Sequence, residues 1–325
     1  MDKIVKQPLV TVLMPVYNGK RHLEEAIESV INQTYQNIEI LIIDDGSTDG
    51  SSKIISRYKK NDKRLRVISH KRNMGLVPSL NEGIDCSRGE YIARMDADDI
   101  SISERLAKQV GFMQRKKNIG LVGTRYFVID ENGQIIKAEQ SLLSNDLLKK
   151  VVLFRSPFCH GSIMIRKSLL NSEKYSPSKN FFEDYDLWAR LSKVTDFYII
   201  PDVLYMWRLS ENGVTKSNLV KMKKGSESVS KWLQGDYVSK KINLHEMLKI
   251  INDSRKYKNK IIVCDKSIRD CGQHGYQLLI INLAILNIKR GNLWNFTILF
   301  LAFILINPLR PIIWIGDLLR NRIFI

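Results

Sequence analysis

The stretches Leu9–Val16, LVTVLMPV, and Ile38–Ser47, IEILIIDDGS, decide how this chain folds. Each is a run of β-branched and aliphatic residues with little polar alternation, the pattern of a strand covered on both faces. Each stops in turn-forming or acidic residues: Pro15 to Gly19 after the first, Asp44-Asp45-Gly46-Ser47 after the second. Between them Leu23, Ala26, Ile27, Val30 and Ile31 recur at helical spacing. Outward from this pair, a helix around 50–60, a strand over Leu65–Ser69, a helix over 76–86 and a strand over Tyr91–Met95 continue the alternation. Strands alternating with helices over short links predict an open, mostly parallel α/β sheet with right-handed crossovers. Such sheets bind ligands beyond the carboxyl ends of their strands. Pro15–Asn18, Asp44–Ser47 and Asp96–Asp99 all fall there and are expected to converge.

After residue 100 the pattern is less regular. Residues 103–115 read as a helix, 119–129 as a strand-pair region, Glu131-Asn132-Gly133 as a turn, 141–153 as a helix and Ser162–Ile165 as a short strand. Phe182–Ser192 carries Leu187, Trp188 and Leu191 at helical spacing, with Asp184 in the first turn, where the helix dipole favours a carboxylate. Three regions follow: an α/β domain over 1–210, a basic helical extension over 211–270 and an apolar C-terminal region over 271–325.

The last region holds Leu278–Leu286 and Leu293–Ile306, separated by Lys289 and Arg290. As a helix, 293–306 reaches only about 21 Å, short of the roughly 30 Å of a bilayer core. Helices lying in or dipping into one leaflet are therefore expected, with Trp294 and Trp314 at the interface. Charge agrees with that placement. The 325 residues carry a net charge of +17, with 31 Lys/Arg against 26 Asp/Glu over 1–207 and 20 against 8 over 208–325. A basic excess beside an apolar tail fits an anionic membrane surface better than nucleic acid. Basic residues interleaved with aromatics on strands, as nucleic-acid binders use, are missing. Cys86, Cys159, Cys264 and Cys271 have no CxxC spacing and read as free thiols of a reducing compartment. The start runs straight into a strand, so no secretory leader is expected.

Two acidic constellations carry chemistry. Asp96-Ala97-Asp98-Asp99 follows the strand YIARM, and adjacent carboxylates are costly unless a cation neutralises them. A divalent ion bridging two phosphates would do so, because hard cations take oxygen ligands; an acidic loop capping the next helix is the plain alternative. Glu183-Asp184-Tyr185-Asp186 could hold a base that takes a proton from an attacking hydroxyl, or could simply cap a helix.

With these pieces in order, the chain resembles the inverting, GT-A-fold glycosyltransferases known as family 2. The resemblance rests on VTVLMPVYNG, SVINQTYQNIEILIIDDGSTDGS, RNMGLVPSLNEGIDCSRGEYIARMDADD, SERLAKQ, CHGSIMIRKS and FFEDYDLWARL, between about residues 8 and 210. It implies a Rossmann-like GT-A sheet and a nucleotide-sugar donor, with UDP favoured. Pro15, Tyr17 and Asp45 would line the base and ribose, with Asp45 on the uracil edge and Asp44 supporting the loop. Arg72, Asn73 and Gly75 would complete the donor pocket. Asp96 would contact ribose or sugar, Asp98 would hold Mn²⁺ or Mg²⁺ on the diphosphate, and Asp99 would assist or cap. Asp184 would be the general base, with Glu183 beside it and His160 near the sugar or acceptor. Arg208, in the segment Tyr205–Ser210, would cover the diphosphate, although the histidine many relatives carry there is absent. Arg105 reads either as a solvated helix residue or as a distant phosphate contact. QxxRW, the signature of processive synthases, is also missing, which favours one sugar added per encounter.

The implied reaction is a single displacement with inversion, from a UDP-hexose or UDP-N-acetylhexosamine to a lipid-linked saccharide at the cytoplasmic face of a bacterial inner membrane, in surface polysaccharide synthesis such as O-antigen or capsule. Two rivals remain. A sugar nucleotidylyltransferase would want a Gly-rich basic loop after the first strand, which PVYNGKRHLEEA matches poorly. A membrane-associated nucleotide-sugar binder without turnover would not need Asp184.

Overall fold

A computed structural model of the chain describes residues 7–138, 148–149, 151–153, 155–210 and 218–239. The apolar stretches 278–286 and 293–306, Cys264 and Cys271, most of the 141–153 segment and the larger part of the basic extension lie outside them. No helix among the described residues is long and apolar enough to cross a membrane.

The first half follows the alternation expected. Strand β1 (Val10–Val16) leads to helix α1 (Leu23–Ile31), β2 (Ile38–Asp44), α2 (Ser51–Asn61), β3 (Leu65–Ser69), α3 (Leu76–Cys86) and β4 (Tyr91–Arg94). These four strands lie in the order β3-β2-β1-β4, all parallel. Every residue of β2 is buried, because helices cover both faces. The alternating side chains of β1 enter different cores. Leu13 joins Leu41, Val77, Leu80 and Ile84 on the α3 side. Val10, Val12, Met14 and Val16 join Leu23, Ala26, Ile27 and Val30 of α1 on the other. Pro15 is tolerated in this central strand because β4 pairs with β1 only as far as Leu13, so no partner awaits its missing N–H.

The second half is mixed. It comprises β5 (Ile100–Ser101), α4 (Arg105–Arg115), β6 (Ile119–Ile129), β7 (Ile135–Ala138), a 3-10 turn at His160–Ser162, β8 (Met164–Arg166), α5 (Lys167–Leu170), α6 (Glu183–Leu191), β9 (Asp196–Arg208) and α7 (Leu219–Ser239). The sheet continues β4-β8-β6-β9-β5, with β7 paired to β6. β8 runs antiparallel to both β4 and β6, β6 and β9 run parallel, and β5 opposes β9. The sheet is thus parallel on one side and mixed on the other, and the expected strand-pair region 119–129 is one long strand whose hairpin partner is β7. Val229 and Leu233 of α7 are buried in the same core as Trp188 and Phe197, so that core draws on residues past 210.

Candidate active site

The carboxyl ends of β1, β2 and β4 form one wall. Asn18 ties the first two together: its amide donates to Ser47 Oγ at 3.1 Å, and its Oδ1 accepts the Thr48 amide at 2.8 Å. Asn18 does so at a positive φ of 51°, which asparagine tolerates better than most side chains. Asp44 closes its own turn, accepting the Ser47 amide at 3.1 Å and the Ser52 hydroxyl at 2.5 Å. Asp45 is buried and reaches across to the loop after β3, accepting the amides of Met74 at 2.7 Å and Gly75 at 2.8 Å. Gly46, at φ +73°, lets these loops touch: a Cβ there would stand 2.5 Å from the Arg72 backbone carbon. Pro15, Asp45, Arg72, Asn73 and Gly75 are thereby gathered at one end of the sheet, with Tyr17 exposed at the rim.

The acidic turn after β4 is pinned from β9. Asp99 is buried and accepts the Tyr205 hydroxyl at 2.8 Å and the Arg208 amide at 2.7 Å. Burial, and then the neighbouring Asp98 charge, push its carboxyl up to about 7. The Arg208 guanidinium, expected over the diphosphate, is instead bonded within the protein. It donates to the carbonyls of Asp98 at 2.7 Å, Asp130 at 3.1 Å and Glu131 at 3.2 Å, and to Glu25 at 2.6 Å. In this arrangement it braces the Asp98 backbone. Arg105 also departs from both of its expected roles. It is fully buried, donates to the carbonyls of Arg94 at 2.8 Å and Ile163 at 3.1 Å, and lies over the Tyr205 ring. Burial lowers it to about 10. Its work is to hold the strand ends beneath the site.

Asp184 and Glu183 enter from the first turn of α6. The Ser156 hydroxyl lies 3.3 Å from Asp184 Oδ2. Burial raises the carboxyls of both residues; with the Asp184 charge added, Glu183 reaches about 7. The backbone just ahead of them is strained, because Phe181 sits at φ +75°, a rare state for a bulky side chain. His160 contacts the Tyr175 hydroxyl at 2.8 Å and meets Trp188 edge-on. Burial, and then Arg94, hold His160 well below its usual range, so it is a neutral imidazole.

Arg94, at the end of β4, joins the two halves. Its side chain is buried, paired closely with Asp96, and its Nε has no hydrogen-bond partner among the described residues. Its charge opposes the burial-driven rise of Asp98 and Asp99 on one element and of Glu183 and Asp184 on another. Arg94 is not among the site residues expected from sequence, yet a charged residue inside the apolar strand YIARM is a signal, since a buried cation needs partners. Tyr175 and Ser156 carry no such signal.

Among the described residues no three His, Cys, Asp or Glu side chains are grouped to hold a metal by themselves. Asp98 supplies a hard oxygen donor, half-buried, whose carboxyl burial has raised. One or two carboxylates completed by substrate phosphates is the donor set that Mg²⁺-type ions accept, so these residues fit a cation that arrives with a diphosphate.

Residues 11–172 match the model of Glycosyl transferase family 2. A glycosyltransferase of Methanocaldococcus jannaschii is 34% identical over 227 residues, 69% of this chain and 77% of that protein. One of Haemophilus influenzae is 34% identical over 222 residues, 63% of this chain and 67% of that protein. A Bacillus subtilis protein named as glycosyltransferase EpsE is 38% identical over 187 residues, 56% of this chain and 66% of its own length. The fold superimposes on residues 1–349 of S. aureus TarS in complex with UDP-GlcNAc with a TM-score of 0.60 at 15% identity, over 89% of this chain and 90% of that one. It also matches the mannosyltransferase PcManGT from Pyrobaculum calidifontis in complex with GDP-Man and Mn²⁺, with a TM-score of 0.56 at 15% identity, over 94% and 87%. The parallel half-sheet, the acidic turn after β4 and the carboxylates opening α6 therefore belong to a glycosyltransferase of family 2.

Proposed function

We propose that this glycosyltransferase moves a hexose or N-acetylhexosamine, with inversion, from a UDP-sugar to a lipid-linked saccharide in surface polysaccharide synthesis. The observation that carries the reading is the position of Arg94, a buried cation acting both on the turn that carries Asp98 and on the start of α6 that carries Asp184. In this reading the Asp98 turn serves the leaving side of a transfer and the start of α6 the attacking side.

In this reading the nucleotide lies along Pro15, Tyr17, Asp45 and the 72–75 loop, and Asp96 faces ribose or sugar. Asp98 would hold Mn²⁺ or Mg²⁺, which supplies positive charge to the departing diphosphate. Asp184 takes the proton of the acceptor hydroxyl as its oxygen attacks the anomeric carbon. Glu183 and neutral His160 shape the acceptor side. Arg208 keeps the Asp98 turn in place. UDP is favoured by the resemblance and by the UDP-GlcNAc complex of TarS, while the GDP-Man complex of PcManGT keeps a guanine donor in the test. Attachment at the cytoplasmic face of a bacterial inner membrane is proposed from the basic excess over 208–325 and the apolar stretches 278–286 and 293–306.

The test is a donor screen. Full-length protein in mild detergent is mixed with each common nucleotide sugar, Mn²⁺ and a lipid extract, and the released nucleoside diphosphate is read with and without EDTA. Chelator-sensitive release from one UDP-sugar is expected, and Asp184→Asn should lower it by roughly a thousandfold while UDP binding persists. Release unaffected by EDTA would remove the metal, and an unchanged Asp184→Asn rate would remove the base.

A further inference from the structure

His70 follows β3 directly and stands between two carboxylates. Its amide donates to the Asp44 carbonyl at 2.8 Å. Its ring makes two contacts of 2.6 Å, Nδ1 with Asp45 Oδ1 and Nε2 with Glu82 Oε2. An ionised carboxylate only accepts, so each contact needs a hydrogen on nitrogen. Neutral imidazole has one N–H, and only the imidazolium satisfies both contacts.

Asp45 is also the acceptor for the Met74 and Gly75 amides. One buried carboxylate thus collects the start of the 70–75 loop through His70 and its end through Met74 and Gly75. Glu82, on α3, holds the far side of the ring. The loop that carries Arg72 and Asn73 is drawn onto the end of β2 by this arrangement. A cavity of about 420 Å³ opens beside it, lined by His70, Lys71, Arg72, Met74, Pro78 and Glu82.

We infer that His70, as an imidazolium between Asp45 and Glu82, is the positioning residue of the 70–75 loop, and that its deprotonation loosens the loop and weakens binding of the nucleoside diphosphate. The second clause rests on the reading that this loop holds the donor nucleotide. The charged groups facing the ring are Asp45 from the turn after β2 and Glu82 from α3, with Lys71 and Arg72 lining the same cavity. Burial disfavours the cation, but the two carboxylates outweigh it and the net direction is upward. The clamp is therefore complete at acid pH and is lost as pH rises through a value above the ordinary histidine value of about 6.5. A loop held in its binding conformation spares the ligand the cost of ordering it, so the lost clamp appears as lost affinity.

The test uses the full chain in detergent. The chain has 5 histidines, so His70→Gln assigns the His70 ring resonance by its disappearance. Hydrogen exchange over 70–75 and calorimetry of UDP with Mg²⁺ follow, at about pH 6 and about pH 9, on either side of the transition. His70 should titrate above its ordinary value, and Glu82→Gln should move it down. Protection of 70–75 should fall with His70 deprotonation, and wild-type UDP affinity should drop roughly tenfold between the two conditions. His70→Gln should bind weakly at both, apart from the change common to all variants that UDP's own ionisation causes. A His70 ring titrating at or below 6.5 would overturn the inference, as would 70–75 protection that is the same in wild type and His70→Gln. Affinity in wild type that changes with pH no more than in His70→Gln would remove the positioning role. Protection that follows His70 while UDP binds at neither pH would support the clamp and remove the nucleotide reading instead.

Discussion

Asp99 accepts the phenolic hydrogen of Tyr205 at 2.8 Å across 106 positions of sequence. The same hydroxyl lies 3.3 Å from the Asp96 amide, which donates to it. The turn that carries Asp98 is consequently held at both ends by one oxygen on β9, with Arg208 supporting the middle. Tyr205→Phe removes that oxygen and leaves a buried carboxylate oxygen short of a donor. It should cost about 1–3 kcal/mol, measured as a lower urea midpoint. It should also weaken metal-assisted UDP binding in calorimetry, although Tyr205 itself belongs to the support beneath the site. A variant as stable as wild type would show that the Arg208 contacts alone carry the turn.

Arg94 and Asp184 give a pH-dependent prediction. Burial raises the Asp184 carboxyl, and the Arg94 charge restrains the rise. A base works only when deprotonated, so the acid limb of the transfer rate should lie above the usual carboxylate range. Arg94→Met removes the restraint and should move that limb further up. One unit of displacement is about a tenfold loss of rate on the acid side, recovered as pH is raised. Equal losses at all pH values would mean that Arg94 acts on substrate geometry and not on the base.

Glu183 makes the opposite sign visible in stability. Burial, with Asp184 beside it, holds the folded carboxyl at about 7, against an ordinary glutamate value of 4.5. The native state therefore binds the proton more tightly than the unfolded chain. This contribution is fully present below the ordinary glutamate value and is lost as pH rises through about 7. Urea midpoints of the protein in chelator should fall between those limits, and Glu183→Gln should flatten the slope. A slope unchanged in Glu183→Gln would assign the effect to another carboxyl.

The parallel half was legible in sequence because β1, β2 and the helices between them carry unbroken apolar runs and clean helical spacing. The Asp98 turn and the Asp45 loop could be placed because polar residues just past such strands have few places to go, and Asp184 because it opens a helix whose apolar residues recur at clear spacing. β9 was not. Its segment DFYIIPDVLYMWR contains Pro201 and Asp202 in mid-strand, and its ladder with β6 shifts register between Thr124 and Arg125. A strand broken by an irregularity loses the period that sequence reading depends on. Missing β9 also hid what Arg208 does. The resemblance set Arg208 over the diphosphate, whereas at the end of a strand beside the acidic turn its guanidinium finds carbonyls first. His70 was overlooked for a related reason: its two carboxylate partners come from other elements, 25 and 12 positions away.

Arg105 separates support from chemistry. Sequence left it between solvent and phosphate, and it is buried, with Arg94 O, Ile163 O, Gln109 and the Tyr205 ring as its surroundings. Among the described residues no carboxylate bonds it, so its charge rests on carbonyl dipoles, an aromatic face and the nearby Asp99 charge. Arg105→Met keeps much of the volume but takes the guanidinium donor from the Arg94 carbonyl and leaves Ile163 O with the Arg94 amide alone. It should destabilise the fold by about 3 kcal/mol or more, as loss of a buried hydrogen-bonded group does. The folded fraction should still bind UDP with near wild-type affinity, because Arg105 reaches the strand ends from beneath, through Arg94 O, Ile163 O and the Tyr205 ring, and bonds none of the residues proposed to hold the nucleotide. Denaturation and calorimetry on the same sample decide the matter. Full stability with lost nucleotide affinity would return Arg105 to the phosphate role, and lost stability with retained affinity would fix it as the residue that braces Arg94 from below.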